Sequence, residues 1–563
     1  MSYELLMLTL TRGAELQMNH FCQCLGQHSI ASYLEQRDFR AKVHYDDILN
    51  AEKVIRQETE THGVRCIGFY VGADNVVMVG NLIRSIRSKT QAFLFVGGPE
   101  AAALGEDYLR GTGCNAIIVG EGERPVFQLL SYLEDGAGSL EQIGGLRYFD
   151  ELGVYHDQPP GPPLMDLDAI PWPDRRNSLN QDYRMGRAIG LLTGRGCPFH
   201  CAFCYEGAAS KTVRLRSVEH VMAEIDEVRS YNPKVSRIDF FDDTFTLYPD
   251  RVYAFCEEMK RRNLRWICEG HVACLHRHPE MIKRMVDAGL IAMQIGIESG
   301  SARVLSAYQK NTTPEMIEEV VRLCHRTGLP SLEGNYIIGG ALESEETLKE
   351  SLAHAKRLIE AGRGMLELHT VFFSPYYGTP ITKAPERFGM RLFGERVQQT
   401  VVSMHEPVCE TQTLSAGELA DWKRYFDQQL LEHYRAQAKH CIQTDVLRGP
   451  RSPQELGIVN PSWHKVWLEI PHLEAFLRHG NQEDQIYAAD KYPIRVGFGV
   501  ELPDGSWQVD DIRLEPVLAK AWRAADGRHT ANAICGMMGL APAEMERLYR
   551  DLNRLCLVYF SVY

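Results

Sequence analysis

Short apolar runs alternate with amphipathic stretches through the first quarter of the chain. The runs are ELLMLTL, AKVHY, CIGFYV, AFLFVGG and AIIVGEG. Helical periodicity falls between and after them, over 19–37, 50–61, 75–87, 99–110 and 123–134. Apolar strands separated by helices predict a parallel sheet covered on both faces. Five such units predict a doubly wound, flavodoxin-like α/β (Rossmann-type) domain over 1–140. A proline-rich linker over 141–185 is expected next, with six prolines between 159 and 173, where neither a helix nor a central strand can run. The alternation then resumes in AIGLLT, RIDFFD, RWICEG, AMQIGIE, GNYIIGG and ELHTVFF. Six strand–helix units over 186–385 predict a partial (β/α)6 barrel with its chemistry at the carboxyl ends of the strands. Residues 386–514 read as a less regular, mostly helical, substrate-associated region. Residues 515–563 read as three helices, over 516–525, 530–538 and 542–555, and a closing strand in LVYFSVY. That order resembles a winged helix.

Composition narrows the function classes. The 563 residues carry 61 basic and 74 acidic side chains, a net charge of −13. An acidic chain is a poor general partner for nucleic acid, because phosphate contacts need clustered Lys and Arg. No apolar run approaches the roughly 18 residues of a membrane span. The start, MSYELLMLTLTRG, has no basic segment ahead of its apolar stretch, so no signal peptide is expected and the expected location is cytoplasmic. Fifteen cysteines are too few for a disulfide scaffold. Twelve read as packing residues or incidental thiols. The other three, Cys197, Cys201 and Cys204, form one cluster.

Glycines crowd three consecutive strand ends of the first domain: Gly72, then Gly97-Gly98-Pro99, then Gly120-Glu121-Gly122-Glu123. Ligands of doubly wound sheets sit beyond those ends, and glycine lets a backbone approach something flat or bulky.

GRGCPFHCAFC follows the first barrel strand, with spacing Cys-x3-Cys-x2-Cys. Three thiolates on one short loop suit three irons of a [4Fe–4S] cube, leaving the fourth open to chelate a cosubstrate. Zinc with His200 as fourth ligand is the alternative, although structural zinc usually draws ligand pairs from two separate loops. Three ordinary thiols are the other.

Residues 186–373 resemble the core of the radical S-adenosylmethionine (SAM) superfamily. Cys197 to Cys204, with Phe203 before the third cysteine, fits its signature. RLRS at 214–217, FFDDTF at 240–245, GIESG at 296–300, NYIIGGALESEET at 335–347 and FSPYYGTPI at 373–381 resemble its later motifs in the right order. GGPE at 97–100 and VGEGERPVFQLL at 119–130 resemble the cobalamin-binding domains attached to some members. The Asp-x-His-x-x-Gly motif that supplies a lower axial histidine in some cobalamin proteins is absent, and His20, His28 and His44 do not fit it.

The resemblance implies three cofactors: a [4Fe–4S] cluster on Cys197, Cys201 and Cys204, SAM, and cobalamin. It implies cobalamin along Gly72, Gly97, Gly98, Pro99, Gly120, Glu121, Gly122 and Glu123. It implies SAM near Phe203, Glu298, Asp242 and one of Arg214 and Arg216, with Glu298 at the ribose. Asp243 shares a strand end with Asp242. Tyr205, Tyr376 and Tyr377 are candidate substrate-side aromatics, the last two also candidate catalytic groups. The implied activity is C-methylation of an unactivated carbon in a natural product or peptide, through a 5′-deoxyadenosyl radical and methylcobalamin. Non-methylating cyclisation, ring contraction or oxidation uses the same cofactors. A cobalamin- and Fe–S-binding sensor is the reading from another class. Expected partners are the small-molecule or peptide substrate and an electron donor such as a flavodoxin or ferredoxin, with no nucleic acid and no membrane.

Overall fold

The computed structural model describes residues 3–11, 24–72, 75–179, 188–205, 212–362, 365–376, 378–394, 406–438, 487–495, 499–509, 512–526, 529–554 and 557–561. The first sheet contains β1 (Leu5–Thr11), β2 (Ala41–Asp47), β3 (Cys66–Tyr70), β4 (Phe93–Gly97) and β5 (Ala116–Ile118). They run parallel in the order 2-1-3-4-5, the flavodoxin-like order. The apolar runs are continuous because both faces are covered. Leu6, Leu8, Ile67, Phe69, Leu94 and Val96 enter one apolar layer. Leu5, Met7, Cys66, Phe95, Ala116 and Ile118 enter the other.

The linker begins later than position 141. β6 (Leu146–Phe149) and β7 (Tyr155–Asp157) form a hairpin that extends the first sheet antiparallel to β5. Its strands are three and four residues long, too short to show as an apolar run. Gly153, at φ 76°, turns the chain between them. The segment after the prolines is also docked. Leu179 N–H donates to Val43 O at 2.9 Å, and Asp174 N–H to Ser32 Oγ at 2.8 Å. Arg175, fully buried, meets Glu224 at 3.0 Å and Gly190 O at 2.7 Å.

The second sheet holds β8 (Ala188–Leu191), β11 (Arg237–Phe240), β12 (Arg265–Gly270), β13 (Leu290–Glu298), β14 (Ser331–Ile338) and β15 (Leu366–Phe372), all parallel and in the order 15-14-13-12-11-8. All six predicted strands are present. Between β8 and β11, β9 (Gly194–Arg195) and β10 (Arg214–Leu215) pair antiparallel, placing Arg195 opposite Arg214. One face of the sheet is apolar and covered by helices, with Trp266, Met293, Leu332, Tyr336 and Leu368 in its core. The alternate residues Glu269, Gln294, Glu333, Asn335 and His369 lie outside that core.

The helix Ala416–Ala438 belongs to this second unit rather than to a separate region starting at 386. Leu419, Phe426, Leu430 and Tyr434 join the same core, and Tyr434 Oη accepts from Leu368 N–H at 2.9 Å. Before it, β16 (Met390–Leu392) pairs with β17 (Cys409–Thr411). The terminal module also starts earlier than 515. β18 (Tyr492–Arg495) pairs with β22 (Val558–Ser561), and β19 (Gly499–Glu501), β20 (Trp507–Val509) and β21 (Ile512–Leu514) form a small sheet. The predicted helices are present as Pro516–Ala524, Ala531–Met538 and Pro542–Arg554, around a core containing Trp522, Ile534 and Tyr549. Strand pairing across some 65 residues leaves no local trace in composition, hence the misplaced boundary. Among the described residues no helix is long and apolar enough to cross a membrane.

Candidate functional site

The loop bearing Cys197, Cys201 and Cys204 leaves β9 and is held at Ala202. The Ala202 N–H donates to Tyr308 O at 2.8 Å, and its carbonyl accepts from Ile381 N–H at 3.1 Å. The fully buried Tyr308 ring fits because Gly340 has no side chain: a Cβ there would lie on the tyrosine hydroxyl. Burial pushes the Cys201 thiol up to about 11. Lys310 opposes that shift, whereas Cys204, Glu298 and Cys197 add to it. The three cysteines therefore occupy one electrostatic neighbourhood and are not disulfide-bonded. No three His, Cys, Asp or Glu among the described residues converge on a single ion, and His200 is exposed. Three thiols on one short loop are the donor set that a [4Fe–4S] cluster takes, one per iron.

Glu298 ends β13 beside this loop, in the left-handed region at φ 64°, where the β13–β14 register shifts. It is ion-paired with Lys310 at 2.5 Å, and both side chains are buried. A Cβ on Gly296 would lie 2.2 Å from each partner, so the pair requires that glycine. Phe203 packs edge-on against Tyr308 at 4.9 Å, and the Lys310 ammonium lies 5.9 Å from its ring centre. The structure thus brings Cys201, Phe203 and Glu298 together around a cation that sequence reasoning missed. Lys310 follows a short helix and belongs to no motif we read. Glu269, at the end of β12, was also missed. Burial, then Asp243, Asp242 and Glu298, push its carboxyl up to about 7.

Several expected SAM contacts are otherwise engaged. The Asp242 carboxylate accepts from Thr193 N–H at 2.5 Å and from the Thr193 hydroxyl, closing the end of β8. It is buried, whereas its neighbour Asp243 lines the cavity described below. Arg216 pairs with the buried Glu224 at 2.7 Å and donates to Leu192 O at 2.9 Å. It shares Glu224 with Arg175 and so anchors the linker. Arg214 pairs with Glu121 and donates to Leu164 O at 2.9 Å.

A cavity of about 780 Å³ lies between the carboxyl ends of the first sheet and the start of the cysteine loop. Gly97, Gly98, Pro99, Gly120, Glu121, Gly122 and Glu123 line it, facing Gly194, Arg195, Gly196, Tyr205 and Asp243. Gly98, at φ 113°, admits no side chain, because a Cβ would lie 2.4 Å from Val71 O. Gly72 is not among the lining residues. It is buried in a turn, its N–H donating to Asn75 Oδ1 at 2.9 Å. Tyr376 does not line the cavity, and Tyr377 lies outside the described residues. No histidine lines it among the described residues. His28 and His44 are buried elsewhere, His28 against Asp174 O and His44 against Asp46. His20 lies outside the described residues.

One wall of the cavity is an ion network. Arg195 meets Glu123 at 2.6 Å and Glu121 at 3.1 Å, and Ser29 Oγ donates to Glu123 at 2.7 Å. Burial pushes the Glu123 carboxyl up, but Arg195 and Ser29 outweigh it and hold the group below the usual range.

Residues 191–355, which include the cysteine loop and the strands around it, match the Radical SAM superfamily. Residues 191–355, less than a third of the chain, therefore carry the radical SAM domain. The match implies a [4Fe–4S] cluster and SAM, the first expected from the cysteine spacing and the second from the family resemblance.

Among curated proteins, the chain is 32% identical over 272 residues to an uncharacterized methyltransferase of Pyrococcus horikoshii. That match covers 47% of this chain and 58% of the relative. It is 28% identical to the anaerobic magnesium-protoporphyrin IX monomethyl ester cyclase of Rubrivivax gelatinosus, over 43% of this chain and 44% of that one. The chain thus spans about half the length of these relatives. Among solved structures, it shares its fold with the cobalamin-dependent S-adenosylmethionine radical enzyme OxsB with aqua-cobalamin and S-adenosylmethionine bound. The TM-score is 0.61 at 17% identity, covering 84% of this chain and 71% of OxsB.

Proposed function

We propose that this chain is a cobalamin-dependent radical SAM methyltransferase acting on an unactivated carbon of a small molecule or peptide. The observation that carries the reading is the glycine-lined cavity between the first sheet and the cysteine loop. It lies beyond the carboxyl ends of the parallel strands, where ligands of such sheets bind. Its volume and the glycines along its wall suit a large flat ligand. The OxsB structure, of the same fold, has cobalamin and SAM bound.

Cys197, Cys201 and Cys204 would hold the cluster, and Phe203, Glu298, Lys310 and Glu269 would surround SAM. When bound, the cluster and SAM supply a 5′-deoxyadenosyl radical and cobalamin supplies a methyl group. The protein's own part is positioning. The glycine strand ends admit the cobalamin, and Arg214 and Arg195 hold the Glu121–Glu123 loop against the barrel mouth. The Lys310 cation suits the SAM carboxylate. Glu269, poised near neutrality, suits an amine or a proton in transfer. Substrate would enter the partial (β/α)6 barrel, where Gln294, Glu333, Asn335 and His369 offer hydrogen bonds to polar groups.

The test is anaerobic turnover with trideuteromethyl-SAM and a flavodoxin or ferredoxin as reductant. Methylation predicts a labelled product formed in step with 5′-deoxyadenosine. Radical turnover without label transfer would instead support cyclisation, ring contraction or oxidation, a second reading favoured by the match to the cyclase. Failure to cleave SAM at all would leave the sensor reading.

A further inference from the structure

His271 follows β12 directly, against the cysteine loop. Its imidazole stacks on Phe199, with ring centres 3.7 Å apart and planes 7° from parallel. Phe199 lies between Cys197 and Cys201 in sequence. The helix Val272–Arg277 that follows keeps Cys274 near enough to Cys197 for their charges to interact. The ring is oriented from both ends of its backbone. His271 N–H donates to the buried Thr246 hydroxyl at 3.0 Å. Ala273 N–H donates to His271 Nδ1 at 3.2 Å.

That second bond decides the tautomer. A backbone N–H can only donate, so Nδ1 is an acceptor and the ring proton sits on Nε2. Protonation at Nδ1 would break the bond. Burial, helped by the Lys310 charge, also holds the imidazole down to about 3, so the ring is neutral. Nε2, at the far end of the ring, is shut off from solvent and has no hydrogen-bond partner among the described residues. A buried N–H without an acceptor is destabilising, and native structures rarely keep one without a use. The ring itself has Phe199 of the cysteine loop and the Lys310 charge as neighbours, and both belong to the cluster site.

We propose that His271 Nε2–H is a donor reserved for the loaded cluster site, where it binds an anionic acceptor: a sulfur of the cluster or the carboxylate of SAM. This rests on the cluster reading above. A hydrogen bond to a cluster sulfur favours the reduced, more negative cluster and raises its potential. A hydrogen bond to the carboxylate tightens SAM. His271 is a positioning residue in either case. Its donor atom holds an acceptor in place and exchanges no proton.

The experiment uses the full chain, anaerobically reconstituted, with H271F and H271Q. H271F keeps the stack on Phe199 and removes the donor, whereas H271Q retains an N–H. H271L is the second donorless variant should H271F fail to load iron. Iron and sulfide content, an EPR-monitored redox titration without SAM, and the SAM Kd are measured on each. The proposal expects a more negative midpoint in the donorless variant if the acceptor is a cluster sulfur, or a SAM Kd raised about tenfold if it is the carboxylate. H271Q should lie near wild type. A donorless variant with wild-type potential and wild-type Kd overturns the inference. Equal shifts in H271Q and the donorless variant also overturn it, since packing alone would then be at work. Wild-type protein that loads no cluster would instead overturn the functional reading on which the inference rests.

Discussion

Arg195, at the end of β9, reaches across to Glu123, the first residue of the helix that follows β5, 2.6 Å from its carboxylate. It precedes the first cluster cysteine by two residues, and Glu123 ends the run of glycines that lines the cavity. One ion pair therefore ties the loop of one proposed cofactor to the loop of the other. The Glu123 side chain is 3% exposed. Removing its partner leaves a buried charge, which destabilises by about 3–5 kcal/mol. R195A should lower the urea midpoint of unfolding and weaken cobalamin binding, read from the visible spectrum. R195K keeps the charge but loses the two-pronged contact with Glu121 and Glu123, and should fall between R195A and wild type.

C201A should abolish the cluster's visible absorption and SAM cleavage while leaving cobalamin binding largely intact. Cys201 lies in the loop held by Tyr308 and Ile381 rather than among the residues lining the cavity. Iron and cobalt per chain, measured on one preparation, check it. Loss of cobalt with the iron would show that the two sites are not separable.

G98A places a methyl group 2.4 Å from Val71 O at a backbone φ of 113°. Strain and overlap together should destabilise the first sheet by about 2 kcal/mol or more. The strand end should move, and cobalamin affinity should fall. Thermal unfolding and a cobalamin titration measure the two effects.

K310M leaves the Glu298 carboxylate buried without its partner at the site expected to take SAM. SAM affinity should fall at least about tenfold, equivalent to 1.4 kcal/mol. Binding calorimetry on the cluster-loaded chain is the measurement. E298Q keeps a hydrogen-bond acceptor for Lys310 and should lose less.

The Glu343 carboxyl accepts from Gly339 N–H, and burial pushes it up to about 7. Its unfolded value lies near 4.5. Between those pH values the folded chain holds more of this proton than the unfolded one, so the group's contribution falls as pH rises from 4.5 to 7. E343Q should flatten that part of the stability profile in urea titrations at several pH values. An unchanged slope would assign it to other raised carboxyls, Glu269 and Glu100 among them.

Local pattern sufficed for the eleven parallel strands: those of the first sheet are covered on both faces and run apolar, and those of the second keep one apolar face for the helices. It also singled out the cysteine triad and the glycine runs as candidates, because ligand spacing and a missing Cβ are properties of short segments. The sequence did not show which charged side chains would face the site and which would be held elsewhere. Asp242 and Asp243 are adjacent and chemically alike, yet one is fastened to Thr193 and the other lines the cavity. Arg214 and Arg216 are two residues apart. One meets Glu121 at the cavity and the other Glu224 beneath the linker. Lys310, Glu269 and His271 lie in none of the family motifs, and Arg195 only precedes the cysteines, so all four acquire their roles from neighbours distant in sequence. Apolar burial is imprinted on the chain residue by residue. The partner of a charge is chosen by chain crossings, which exist only once the two sheets have folded and met.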